Sequence, residues 1–167
     1  MEAIELAVFD VAGTTAKDDG LVVEAFTAAA VAMGVERETA QMSAMVDYVQ
    51  ATMGQRKIDV FLHLFDQNLE KAELAHEHFV QAYQDLTRQG ALEEFDGVSE
   101  MFEELRAQGI GIAITTGFPR EILDPIIDSL GWRELIDISV AASEVAAGRP
   151  APDMILRSLE IDRKSVV

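Results

Sequence analysis

At 167 residues and 18.3 kDa, with 49% hydrophobic residues, the chain is long enough to bury one core of ordinary size and too apolar to be disordered. A formal net charge of −17 and a pI near 4.3 create a field that repels phosphate backbones, which argues against nucleic acid as a partner. The same field obliges any anionic ligand to meet a local group of cations or a metal. The lack of cysteine excludes disulfides, thiolate metal sites and cysteine nucleophiles; no apolar stretch is long enough for a bilayer and no export signal stands at the start, so the expectation is a cytoplasmic protein without membrane attachment.

In chain order, Ile4 to Phe9 is a short run of strand formers that stops at Asp10 and Gly13, which predicts a buried strand entering a tight loop. Leu21 to Met33 has helical periodicity, with Gly34 as its C-terminal stop. Glu36 to Met53 and Gln55 to Phe65 predict two further helices separated by Gly54, and Leu69 to Arg88 a fourth that ends near Gly90. No strand signal occurs between Leu21 and Arg88. Beyond Gly90 the pattern alternates: helix at Val98 to Ala107, strand at Ile110 to Thr116, helix at Pro119 to Leu130, strand at Ile136 to Ala141, and helix at Pro152 to Leu159. Two of these helices start with proline in the first turn, where the missing N–H is harmless. Alternating strands and helices predict an α/β fold with a parallel sheet, and the helical block reads as an insertion after the first strand. The expected domains are therefore a core of residues 1–17 and 91–167 and a helical cap of residues 18–90.

In an open parallel sheet, ligands sit beyond the carboxyl ends of the strands. Asp10 follows the first strand, Thr116 closes the second, and Arg149 lies in the loop after the third. A carboxylate, a hydroxyl and a guanidinium converging at one sheet edge suit a phosphoryl group: the carboxylate attacks or holds a metal while the other two neutralise oxygens. Singly, each has an ordinary reading as a turn residue, a strand former or a surface arginine.

The run Phe9-Asp10-Val11-Ala12-Gly13-Thr14-Thr15 resembles the first motif of the haloacid dehalogenase superfamily. Thr116, within Ile114-Thr115-Thr116-Gly117-Phe118-Pro119-Arg120, resembles the second motif, and Arg149, in Gly148-Arg149-Pro150-Ala151-Pro152-Asp153, stands where the third places its cation. Phe95-Asp96-Gly97-Val98 resembles the return from a helical cap. The resemblance implies a Rossmann-like parallel sheet with an inserted helical cap of the C1 type. It also implies Asp10 as a nucleophile that forms an aspartyl-phosphate, and Mg2+ bound by the Asp10 carboxylate and the Ala12 main-chain carbonyl. Amides of the Val11 to Thr14 loop, including those of Gly13 and Thr14, with Thr116, Gly117 and Arg149, are expected around the phosphoryl oxygens.

Phosphatases of this superfamily commonly carry a second aspartate where this chain has Ala12. The alanine form resembles the phosphonatase branch, which cleaves a carbon–phosphorus bond and so has no leaving oxygen to protonate. Met53-Gly54-Gln55-Arg56-Lys57-Ile58-Asp59 resembles the cap segment that supplies that branch with an imine-forming lysine, which assigns the role to Lys57 with Met53 beside it. The ordinary reading of Lys57 is a solvated lysine on an amphipathic helix. Val60 stands where the branch carries a histidine and Phe118 where it carries a tyrosine. The superfamily also follows the Arg149 helix with a strand and an acidic loop that completes the metal site; since this sequence stops at Val167, a C-terminally incomplete core is expected.

The sequence-based expectation is a Mg2+-dependent hydrolase of a small phosphonate or phosphorylated substrate. Two alternatives stand beside it: a phosphomonoester phosphatase that does not use Lys57, and a non-catalytic relative that binds a small molecule or forms a homodimer through its helical cap. A histidine metal site is not expected, because His76 and His78 are two residues apart on one helix and diverge, while His63 lies alone.

Overall fold

The computed structural model describes residues 4–165. The chain forms two compact units: residues up to Lys17 together with those from Leu92 onward, and Asp18–Ala91. Among the described residues no helix is long and apolar enough to cross a membrane.

The first unit is built on three parallel strands, β1 (Leu6–Asp10), β2 (Gly111–Thr116) and β3 (Ile138–Ala141), in the order β1-β2-β3. Register runs from Leu6 opposite Gly111 to Asp10 opposite Thr115, and from Ala113 opposite Ile138 to Thr116 opposite Ala141. The helices of this unit are α5 (Val98–Ala107), α6 (Arg120–Ser129) and α7 (Asp153–Ser165). Because side chains of neighbouring strands in register point the same way, the pleat sorts the core into two faces. On one face Val8, Ala113, Ile138 and Val140 pack with Met154 of α7. On the other, the Phe9 ring lies 5.4 Å from that of Phe102 in α5, which meets the edge of Trp132 at 5.5 Å. Ile112, Ala113 and Ile114 of the central strand are fully buried, as expected for a strand covered on both faces.

Two expected strand boundaries move, each for a local reason. β1 extends through Asp10, so the carboxylate belongs to the last strand residue. β3 begins at Ile138 instead of Ile136. At that point the Asp137 carboxylate accepts the Ile112 N–H at 2.9 Å while the Asp137 N–H donates to the Ile112 carbonyl, so a side chain occupies a place in the ladder. Pro119 is the N-cap of α6, with extended geometry, and is not its first helical residue.

The chain leaves and re-enters the sheet unit through paired segments. Ala16 bridges Glu94 in antiparallel fashion; the Lys17 N–H donates to the Glu93 carbonyl at 2.8 Å and the Phe95 N–H to the Thr15 carbonyl at 3.0 Å. The Lys17 ammonium adds an ion pair to Glu93 at 3.0 Å. Just beyond, Glu94 accepts the Trp132 indole N–H at 2.7 Å and the Ser99 hydroxyl at 2.6 Å, which ties the returning chain to α5. Burial works to raise the Glu94 pKa, but the hydrogen bonds from Ser99 and Trp132 hold it below its ordinary value.

The second unit is all-helical: α1 (Leu21–Ala32), α2 (Ala40–Ala51), α3 (Lys57–Leu64) and α4 (Leu69–Leu86). Its core is aromatic. Phe26 stacks on Phe61 at 4.5 Å and tilts against Phe79 at 4.7 Å, and Tyr83 continues the row 6.0 Å from Phe79. Side-chain caps fix the starts: Thr39 accepts the Met42 N–H, so α2 begins at Ala40 and not near Glu36, and Asn68 accepts the Lys71 N–H at the head of α4. Gly54, at φ 86°, makes the left-handed turn between α2 and α3 that a side chain would strain. His63 is stacked on Tyr48 at 4.0 Å and His76 packs beside Phe61 and Phe79, so both serve packing.

Candidate active site

The loop after β1 is wound around one carbonyl. The N–H groups of Thr14, Thr15 and Ala16 all donate to the Val11 carbonyl, at 3.2, 3.0 and 2.9 Å, and the Gly13 N–H donates to the Ala16 carbonyl at 2.8 Å. Gly13 sits at φ 74°, the left-handed geometry this turn requires. The buried Thr15 hydroxyl donates to the Asp10 carbonyl at 2.8 Å and fixes the main chain of the carboxylate itself. The amides of Gly13 and Thr14, expected to point at a ligand, are therefore engaged inside the loop. Their contribution is the shape of the turn that carries Asp10.

Arg149 reaches back to this strand end. Its Nη1 lies 2.8 Å from Asp10 Oδ1, with the two side chains 28% and 31% exposed, so the pair is partly desolvated yet open to solvent. Its Nη2 donates to the Thr115 hydroxyl at 2.8 Å and to the Thr115 carbonyl at 3.3 Å. The Thr115 hydroxyl in turn donates to the Phe9 carbonyl at 3.4 Å. One guanidinium thus spans a carboxylate on β1 and a hydroxyl on β2, a geometry a planar fork can satisfy and a point charge cannot.

The threonine in this constellation is Thr115, not Thr116. Register explains why: Asp10 is opposite Thr115, so these side chains share the face on which α7 and the Arg149 loop lie. Thr116 belongs to the opposite pleat. It is buried, and its hydroxyl accepts the Phe118 N–H at 3.2 Å, so it shapes the turn through the buried Gly117 into α6. Thr15 and Thr115 are the site residues that sequence reasoning passed over. A second guanidinium near the strand ends, Arg120, is committed elsewhere: it donates to the Ser139 hydroxyl and carbonyl, to Asp124 and to Glu144, and locks α6 to β3.

Asp10, Thr115 and Arg149 edge a cavity of about 250 Å3 backed by Val8, Ala151 and Met154. A larger cavity of about 510 Å3 opens at the other end of the sheet, beside Glu5, Arg106, Asp137 and Asp162. It lies where the strands begin, and its one cation is paired with Asp137 at 3.6 Å, so the smaller cavity at the carboxyl ends is the chemically equipped one.

For a hard dication the site offers the Asp10 carboxylate and the nearby Ala12 main-chain carbonyl. Among the described residues no group of three His, Cys, Asp or Glu side chains is placed to hold a metal. Two oxygen donors are compatible with magnesium, which binds through few protein ligands and retains water.

Lys57 and Met53 belong to the helical unit. Lys57, the first residue of α3, is only 4% exposed, and its ammonium donates to the Gln55 carbonyl at 3.4 Å, so the ordinary alternative of a solvated lysine does not describe it. Met53 is 41% exposed.

A family model described as haloacid dehalogenase-like hydrolase matches residues 4–161. The chain is 26% identical over 165 residues to Protein CbbY of Rhodobacter capsulatus, an alignment that covers 94% of this chain and 71% of the relative. It is 29% identical over 168 residues to a phosphonoacetaldehyde hydrolase of Bacillus cereus (strain B4264), covering 93% of this chain and 62% of that protein, so it spans less than two thirds of this relative's length. The crystal structure of a hydrolase from Pseudomonas syringae has the same fold, with a TM-score of 0.79 at 22% identity, over 95% of this chain and 69% of that one. A parallel sheet carrying an aspartate at the end of its first strand, and a family match across nearly all of that sheet and its helical insertion, make the chain a member of the haloacid dehalogenase-like hydrolases.

Proposed function

We propose that this chain carries the phosphoryl-transfer site of a phosphonatase-like hydrolase acting on a small organophosphorus compound. The carrying observation is the Asp10–Arg149–Thr115 constellation at the carboxyl ends of β1 and β2. The Ala12 form of the motif and the likeness to phosphonoacetaldehyde hydrolases point to an aldehyde phosphonate as substrate.

In this reading a carboxylate oxygen of Asp10 forms a bond to phosphorus as the bond from phosphorus to carbon breaks. The leaving electron pair enters a carbon whose neighbour is an iminium, formed beforehand by condensation of the Lys57 amine with the substrate aldehyde and loss of water. The pair is delocalised as an enamine, which takes a proton from water at carbon, and hydrolysis of the imine then frees Lys57. Water cleaves the aspartyl-phosphate to inorganic phosphate. Arg149 moves from one carboxylate oxygen to share the phosphoryl oxygens, and Thr115 fixes the guanidinium plane. Thr15 holds the main chain of Asp10 so that attack requires no reorganisation of the loop. Magnesium bound through Asp10 and the Ala12 carbonyl would neutralise phosphoryl charge and screen the carboxylate from the anionic substrate. The helical unit Asp18–Ala91 serves as the cap that sets specificity.

Borohydride added with phosphonoacetaldehyde traps an adduct on Lys57 that is visible as a mass increase of the whole chain; an unmodified Lys57 would remove the imine mechanism. Val60 and Phe118, which depart from the phosphonatase pattern, favour a second reading as a phosphomonoester phosphatase. In that case sugar or nucleotide phosphates are turned over and Lys57→Ala leaves the rate unchanged.

A further inference from the structure

Opposite charges already in contact partly cancel, so a third ion approaching either one meets a weakened partner. Asp10 and Arg149 are in that state. Nη1 of Arg149 lies 2.8 Å from Oδ1 of Asp10, and Oδ2 of Asp10 has no hydrogen bond among the described residues. The guanidinium is not free to swing aside. Its Nη2 is tied to the Thr115 hydroxyl at 2.8 Å and the Thr115 carbonyl at 3.3 Å, and that hydroxyl is bonded to the Phe9 carbonyl on the strand that ends in Asp10. Arg149 can therefore turn about Thr115, but it stays beside the strand end. A cavity of about 250 Å3 has Asp10, Thr115 and Arg149 in its wall, which gives an incoming ion room next to the pair. Arg120 cannot take over the cationic role here, being engaged by Ser139, Asp124 and Glu144.

We propose that the Asp10–Arg149 pair is a latch that couples the binding of a dication to the binding of an oxyanion, so that each strengthens the other. The inference rests on the reading above of this sheet edge as a phosphoryl and magnesium site. Asp10 offers a lone dication a carboxylate that Arg149 already offsets, beside a guanidinium that repels it. Arg149 offers a lone oxyanion a charge already spent on Asp10, against the Asp10 carboxylate and the −17 field of the whole chain. Both obstacles fall together. When the anion draws Nη1 away, the guanidinium is neutralised and the Asp10 carboxylate is released to hold the dication, whose charge in turn attracts the anion. A dianion opens the latch best, because it engages the fork through two oxygens and still leaves charge for the metal. Oδ1 of Asp10 is then uncovered when both ions are present, and it stays masked toward ligands that arrive without metal.

The test measures binding and needs no turnover. The whole chain is titrated with Mn2+, a paramagnetic substitute for magnesium followed by electron paramagnetic resonance, and with inorganic phosphate followed by calorimetry. Asp10→Asn, run in parallel, identifies the Mn2+ bound at this site and separates it from Mn2+ held elsewhere on an acidic surface. Saturating phosphate is expected to tighten Mn2+ binding about tenfold, and saturating Mn2+ to tighten phosphate binding by the same factor, as linkage requires. Arg149→Gln removes the latch: without phosphate, Mn2+ binds about fivefold tighter than to the unaltered chain, while phosphate alone binds more weakly. An arginine that merely receives anions would leave the affinity for Mn2+ alone unchanged, and that result overturns the proposal. Arg149→Met, which keeps the apolar stem, replaces the Gln variant if the latter does not fold. The unaltered chain can also sink the idea, because Mn2+ and phosphate that bind independently leave no coupling. If neither ion shows binding that Asp10→Asn removes, the reading of the site fails and the latch with it. If both bind, but independently, the latch alone fails and the hydrolase reading stands.

Discussion

The sheet unit and the helical unit handle their ionic groups in opposite ways. In the sheet unit, Asp10 and Arg149 remain nearly a third exposed and are held by a strand end and a loop remote in sequence. Their geometry depends on strand register, and their charges stay accessible to a ligand. In the helical unit, Lys57 is buried at the start of α3 and bonded to the Gln55 carbonyl two residues before it. One unit presents charge and the other stores it. Under the proposed mechanism, an amine that reacts with an aldehyde gains from seclusion, which weakens hydration, whereas a carboxylate that meets a doubly charged phosphoryl group gains from an adjoining cation and from access.

That contrast can be broken most severely at the exposed pair. If Asp10 is the nucleophile, as proposed, Asp10→Asn lowers phosphate release by about 10^3-fold or more, with the thermal midpoint nearly unchanged, since little packing is lost with it. Arg149→Lys retains the charge but not the fork, and a loss of about 10^2-fold in kcat/KM is expected. Recovery of full activity in the lysine variant would show that the span between Asp10 and Thr115 is unimportant.

On the storing side the largest effect is on stability. Phe61 is fully buried against Phe26 and Phe79, so Phe61→Ala should destabilise by about 3–5 kcal/mol in denaturant titration. Smaller effects distinguish the units by pH. Tyr83 has a phenol pushed above its ordinary value of 10.0, so the unfolded chain ionises first and stability falls as pH rises past that value. Tyr83→Phe should flatten this alkaline loss; an unaltered alkaline limb would show that the phenol is not held neutral. Glu94 in the sheet unit has the opposite sign. Its carboxyl is held below 4.5, so its contribution, about 1 kcal/mol, is present above that pH and fades as the acid range is entered. Glu94→Gln should therefore matter at neutral pH and cease to matter in acid.

Much of this was legible from residue order, and the failures have identifiable causes. Asp10, Gly13 and Arg149 were readable because strand ends, tight turns and a cation after a third strand leave local marks in sequence. Thr115 was not distinguished from Thr116 because adjacent threonines on a strand differ only in the face they occupy, and the face follows from pairing with β1. Thr15 was missed because its role is a bond to the main chain of Asp10, which leaves no pattern of its own. Lys57 was singled out by its neighbours in the chain, yet its burial follows from the packing of the helical unit and not from its local sequence. The start of α2 was misplaced toward Glu36 although Thr39 is a good cap residue; the polar stretch before it has helical composition and no helical hydrogen bonds to secure it.

The clasp between residues 15–17 and 93–95 has an evolutionary corollary. Because the exit and the return are stapled side by side through main-chain bonds, the sheet unit experiences the whole intervening segment as a loop with coincident ends. Its length and contents can be exchanged without displacing the Asp10 turn next door. A descendant could acquire a new ligand preference by replacing the stretch between Asp18 and Ala91 wholesale, and a graft of a few glycines and serines across Lys17 and Glu93 should still leave a foldable scaffold around Asp10.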